Sequence, residues 1–180
     1  MKKIIEIEVK NKVGNEGVDD PSITERISFF NLEYVDQYCI LTHSDVDVAD
    51  VDYVDIDNDA AGALGLNHVD FLTTIVKNDV IRWSLKNSTI ENENKDYSIT
   101  LEKISRAPTG SKKSMVDFFG IDELTPLEPA KWIEGTIIDD SDLDELKYVI
   151  KIRITRSEND TYVFDQYYYI DPKLCIKSTN

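Results

Sequence analysis

The sequence predicts an all-β protein, a two-sheet antiparallel β-sandwich of jelly-roll or immunoglobulin-like kind, with a long middle loop carrying a short helix. Three observations lead there. About eight or nine short stretches are β-rich, most of them alternating apolar with polar residues, the period of a half-buried strand. Clusters of Gly, Pro, Asn and Asp separate them at regular intervals. No long stretch shows the helical period, and that combination is the mark of packed sheets.

The elements follow in chain order. In Lys3–Lys10, Ile5, Ile7 and Val9 alternate with Glu6, Glu8 and Lys10, a strand with one wet face. Residues 11–21 contain Gly14, Gly17, Asp19, Asp20 and Pro21, which is loop chemistry. Residues 23–34 and 38–42 are apolar and β-rich, and are expected as a second and third strand. The stretch 45–59, DVDVADVDYVDIDND, has seven aspartates and no basic residue. Its alternation slips phase twice, so it is expected as an irregular edge or a long acidic loop. Residues 60–67 are small and flexible; 69–76 return to strand character, and Asn78–Asp79 forms a tight turn.

The central stretch is DVIRWSLKNSTIENENKDYSITLEKI, Asp79–Ile104. Ile81, Trp83 and Leu85 alternate with polar residues, as do Tyr97, Ile99 and Leu101. The two strands are expected as antiparallel neighbours across a polar loop, 87–96. Residues 105–129 form an insertion loop. Within it Met115, Phe118 and Phe119 fall at i, i+3 and i+4, so a short helix is expected, ended by Gly120. Residues 132–138 are a strand and 139–145 (DDSDLDE) an acidic turn. Residues 147–155 place Tyr148, Ile150, Ile152 and Ile154 on one face and Lys147, Lys151, Arg153 and Thr155 on the other. A turn, SEND, leads into a returning strand over 161–170, which Asp171–Pro172 breaks before a final extended segment. No repeat or linker divides the chain, so residues 1–180 are expected as a single domain.

Composition narrows function by exclusion. A net charge of −15 repels nucleic acid and favours a basic partner or cations. Lys2–Lys3 before an apolar run resembles a leader, but Glu6 and Glu8 interrupt it and no cleavage site follows. No apolar run approaches the length of a membrane span. Cys39 and Cys175 fit a reducing compartment and buried packing better than a disulfide framework. A cytoplasmic protein is expected, without membrane or nucleic-acid partners.

His43 and His68 stand apart, and no zinc-like spacing, nucleophile elbow or phosphate-cradling glycine loop occurs. No catalytic residue, metal site or cofactor is therefore assigned. Asp55, Asp57 and Asp59 match the first three ligands of a calcium loop, but Ala60 stands where the turn needs Gly and Leu66 where a bidentate Glu is needed. A solvated acidic loop is the favoured reading, with these aspartates kept as binding candidates. Tyr167 and Tyr169, on the face opposite Tyr168, are candidates for a stacking surface; the competing reading is sandwich core and rim.

The segment VKNDVIRWSLKNSTIENENKDYSITLEKI, with its IRW strand, polar loop and DYS strand, resembles the AidA/PixA family of inclusion-body proteins. YYYIDPKLCI near the end is similar to that family's last strand and its Asp-Pro exit. The aspartate-rich run departs from the family pattern. The resemblance implies a bacterial β-sandwich, non-enzymatic and self-associating as a homo-oligomer, with no catalytic residues to carry over. The alternatives are an acidic immunity or inhibitor protein that covers a basic toxin, or a carbohydrate- or calcium-binding module.

Overall fold

A computed structural model of the protein describes residues 2–9, 39–46, 54–57, 72–92, 95–108, 113–126, 132–141, 144–170 and 172–176. In chain order the elements are β1 (Lys2–Val9), β2 (Cys39–Val46), β3 (Val54–Asp57), β4 (Leu72–Ile75), β5 (Val80–Leu85), β6 (Thr89–Asn92) and β7 (Lys95–Arg106). Then come α1 (Met115–Phe119), β8 (Glu123–Leu124), β9 (Trp132–Thr136), β10 (Glu145–Glu158), β11 (Thr161–Ile170) and β12 (Lys173–Ile176). The expected all-β class holds among these residues, with one five-residue helix. The strand expected over 23–34 lies outside the described residues.

The strands form two hydrogen-bonded sheets. One runs β3-β2-β1-β5-β9, and the other β4-β12-β10-β7-β6, with β11 on β10 and β8 on β7. The expectation of wholly antiparallel sheets is corrected: β1 pairs with β5, and β12 with β4, in parallel. Alternation reports which face of a strand is buried; it carries no signal for the direction of the neighbour.

A second correction concerns the central pair. The strands holding Trp83 and Tyr97 are not neighbours. β5 lies between β1 and β9 in the five-stranded sheet, whereas β7 lies between β10 and β6 in the other. Both send every second residue into one core, so in sequence they look like partners. The polar stretch between them is not simply a loop. Thr89–Asn92 forms β6 and pairs with β7, with Ile90 opposite Tyr97. Asn87 makes the passage between sheets. Its Oδ1 accepts from Val9 N at 2.9 Å, and its Nδ2 donates to Val9 O at 2.8 Å and Thr89 O at 3.1 Å. The side-chain amide thus satisfies the end of β1 as another strand would.

The core is filled from both sheets. Ile5, Ile7, Ile81 and Trp83 of one, and Tyr148, Ile150, Ile152 and Ile154 of the other, are fully buried in one cluster. Trp83 is its pivot. It meets Tyr148 edge-on at 5.7 Å and Phe119 at 5.9 Å, and its Nε1 donates to Tyr148 Oη at 3.2 Å. Burial holds the Tyr148 phenol protonated, raised above its ordinary range, so the indole has a neutral acceptor where a charge would be costly.

The expected helix forms where the spacing placed it. Ser114 caps α1 by accepting from Asp117 N, Asp117 answers the Ser114 backbone, and Gly120 closes the end at φ 76°. Met115, Phe118 and Phe119 face inward. Gly135 on β9 lets the helix close: a Cβ there would lie 2.7 Å from both Leu124 Cδ1 and Phe119 Cδ1. The loop expected over 105–129 starts later, because β7 continues to Arg106, and it is interrupted by the short strand β8, Glu123–Leu124. Within the expected acidic loop, Asp45 and Val46 end β2, and Val54–Asp57 is the edge strand β3. Both tight turns follow side-chain chemistry. Asp79 Oδ2 accepts from Val76 N at 3.0 Å beside Asn78 at φ 70°, and Asn159–Asp160 turns β10 into β11 with both φ values positive.

Candidate functional site

The outward face of the β10–β11 hairpin gathers unlike groups that the sequence holds apart. Residues 147–156 carry four basic side chains and no acidic one, within a chain of net charge −15. Alternation that buries Ile150, Ile152 and Ile154 turns Lys151, Arg153 and Thr155 the other way. The antiparallel register sets Lys151 opposite Tyr169 and Arg153 opposite Tyr167. Register shifts interrupt its pairing at Lys151/Ile152 against β7, in mid-segment, and at Arg156/Ser157 against β11, at its end.

Charge and rings interlock there. Lys151 Nζ stands 3.8 Å from the centroid of the Tyr167 ring. Arg153 Cζ is 5.3 Å from the Tyr162 ring and 5.9 Å from that of Tyr167. Arg153 also donates from Nε and Nη2 to the two carboxylate oxygens of Asp165, each at 2.8 Å. That fork holds the Asp165 carboxyl below its ordinary value and raises the guanidinium. Lys151 differs: among the described residues no carboxylate lies within ion-pair distance of it, and its contact is the ring. Cation–ring contacts at exposed sites contribute about 0.5–1 kcal/mol each, so they set orientation more than stability.

The end of the hairpin stands clear of the core. Every residue from Ser157 to Tyr167 except Phe164 is exposed, and Tyr162, Val163 and Tyr167 expose 59%, 47% and 43% of their surface. Phe164 is held by Tyr97, ring to ring edge-on at 5.4 Å, and Arg156 reaches Glu158 and lies 5.7 Å from Tyr97.

Of the residues singled out in the sequence, Tyr167 and Tyr169 lie on this face, Tyr167 exposed and Tyr169 half-buried. Asp55 and Asp57 lie on β3 in the other sheet, opposite Ser44 and His43; Asp59 lies outside the described residues. The structure therefore unites the two tyrosines and places the two aspartates elsewhere. Lys151, Arg153 and Tyr162 were not singled out. The signal that could have found them was three bases, Lys147, Lys151 and Arg153, facing away from the isoleucines in an acidic chain. Among the described residues no group of three His, Cys, Asp or Glu side chains is placed to hold a metal ion. None of their helices is long and apolar enough to cross a membrane.

Two further charged groups serve the framework. Glu134 takes Lys2 and Arg82, each at 2.6 Å, and Arg82 lies 4.2 Å over the Trp132 ring. Burial pushes the Glu134 carboxyl up, but these two cations outweigh it and hold it below its ordinary value. Lys113 clamps Asp139 at 3.3 Å and Asp144 at 2.8 Å, tying the acidic turn before β10.

No family model matches the sequence, and no curated protein matches it. Among solved structures, the chain is similar to the crystal structure of an inclusion body protein (PixA) from Burkholderia cenocepacia J2315. The TM-score is 0.53 at 8% identity, over 98% of this chain and 94% of that one. The likeness is one of fold and spans nearly the full length of both. The PixA resemblance of the IRW and DYS strands thus has its counterpart in three dimensions.

Proposed function

We propose that the protein is a non-enzymatic, self-associating β-sandwich of the inclusion-body kind, a single domain acting in the bacterial cytoplasm. One observation carries this reading: an inclusion body protein shares the fold across nearly the whole chain. The contact of Trp83 with Tyr148 supports two sheets packed as the layers of a sandwich. An exposed face of rings and cations, rather than a set of reactive groups, supports a role in contact between molecules.

Sedimentation velocity across concentration and pH tests it. Association is expected to grow with concentration, and to strengthen as pH falls from neutrality towards the isoelectric point near 4.4, where repulsion from the net charge of −15 fades. Far-ultraviolet circular dichroism at each pH verifies that the protein stays folded. A folded species that remains a strict monomer at high concentration across this range would overturn the reading.

A further inference from the structure

We infer that the outer edge of β11, on the β10–β11 arm, docks the same strand of a second copy, the two running antiparallel about a two-fold axis at Gln166. The inference rests on the self-association proposed above and says which surface carries it.

The backbone shows the edge. β11 lies along one side of β10, in line with β12, and β10 is the strand it pairs with among the described residues. Hydrogen bonds on that side of β10 set the phase: Ile176 N donates to Asp144 O at 2.9 Å, and Tyr148 N to Pro172 O at 3.1 Å. The same register runs on into β11, with Leu146 opposite Leu174 and Ile150 opposite Ile170. Bonded and non-bonded pairs alternate along an antiparallel ladder. Phe164, Gln166, Tyr168 and Ile170 therefore turn their N–H and C=O groups towards β10. Asp165 and Tyr167 turn theirs the other way, where no backbone partner meets them among the described residues. Both residues are exposed. A strand edge in this state is a template for another strand.

The side chains leave that edge open. Lysine and proline are the usual guards of an edge, and Thr161–Ile170 contains neither. Its one charge, Asp165, is neutralised by the fork from Arg153, with both bonds at 2.8 Å. The one guard present is a bulge: Arg156 opposes Phe164 and Ser157 opposes Tyr162, so Val163 is the extra residue. It ends the straight run and confines pairing to 164–168.

This run fits itself. About a two-fold at Gln166, Asp165 of each copy falls opposite Tyr167 of the other, and each of these pairs exchanges both of its hydrogen bonds. Phe164 falls opposite Tyr168, ring beside ring. An axis one residue away, at Asp165, would set two carboxylates face to face. Charge agrees with a second copy as the occupant. Residues 147–156 carry four basic side chains and no acidic one, so the arm is where a chain of net charge −15 meets its like with little repulsion. The contact is isologous and closes at two copies, so a dimer is the expected unit of association.

The test uses the full chain in sedimentation velocity, under conditions where the wild type associates. Tyr167→Pro removes an outward N–H that β10 does not use, at an edge position where proline is tolerated. It is expected to weaken the dimer by about tenfold or more, since a donor is lost at two symmetric places. Circular dichroism verifies that the variant is folded. A second measurement does not depend on that variant. Gln166→Cys places two thiols across the axis, where Cα atoms of a non-bonded pair stand about 4.5 Å apart, within disulfide reach. Mild oxidation should give a covalent dimer from Gln166→Cys and none from Thr161→Cys, which lies far from the axis. A folded Tyr167→Pro that dimerises as the wild type does overturns the inference and leaves self-association standing. So does a Gln166→Cys chain that cross-links no more than Thr161→Cys, and the edge is then covered by something other than its own copy. If the wild type never associates, the reading beneath is lost as well.

Discussion

The two ends of β10 are one strand in two environments. From Leu146 to Ile154 every second side chain is fully buried, and Val149 is buried as well. From Ser157 to Glu158, and across the turn to Val163 on β11, each residue is exposed. The same contrast divides β11, whose Tyr168 and Ile170 are buried while Tyr162 and Tyr167 are not. Yet both ends belong to one unbroken strand, Glu145–Glu158. The difference is coverage. At the first end Trp83 of the five-stranded sheet reaches Tyr148; beyond the second, the only cation set against an exposed ring is Arg153, 5.3 Å from Tyr162, among the described residues. One continuous strand therefore fills a core at one end and stands in solvent at the other.

This contrast can be broken by substitution. The largest effect is expected at the covered end. Trp83→Ala removes the side chain that both sheets share and should cost about 3–5 kcal/mol in urea unfolding. A cost below about 1 kcal/mol would mean that the two sheets do not depend on this contact. Tyr148→Phe sharpens the point, because it keeps the ring and removes the acceptor of the Trp83 indole N–H. The orphaned buried donor should cost about 1–3 kcal/mol in the same assay. At the uncovered end, Tyr162→Ala should change stability by no more than about 0.5 kcal/mol, since little surface is withdrawn from water there. A loss as large as that of Tyr148→Phe would show the arm to be part of the folding core.

Acidification probes the charged ties of the framework. Glu134 and Asp139 have folded values held below their ordinary 4.5 and 3.8. Groups depressed in this way add stability that is fully present above those ordinary values and is lost as pH falls through the folded ones. Thermal unfolding temperature should therefore be level above about pH 5 from this source and fall below it. Glu134→Gln should flatten part of that fall.

Much of the fold was legible from period and punctuation. Ile150, Ile152 and Ile154 announced their burial, Met115, Phe118 and Phe119 their helix, and Asn159–Asp160 their turn. Each depends on neighbours a few residues away, and local chemistry suffices. The candidate site was legible in half: Tyr167 and Tyr169 stood out as an aromatic run, whereas Lys151 and Arg153 looked like the ordinary wet side of a strand.

What the sequence alone determined is which side chains leave water, because solvent sorts them residue by residue along each strand. What only the tertiary structure decided is pairing. Trp83 and Tyr97, neighbours in every local respect, went to different sheets; β1 took β5 in parallel; a lysine and a tyrosine sixteen positions apart came to lie 3.8 Å from each other. Backbone hydrogen bonds are the same for every strand, so the choice of partner falls to long-range packing, in which Trp83, Tyr148 and the Asn87 passage between sheets take part.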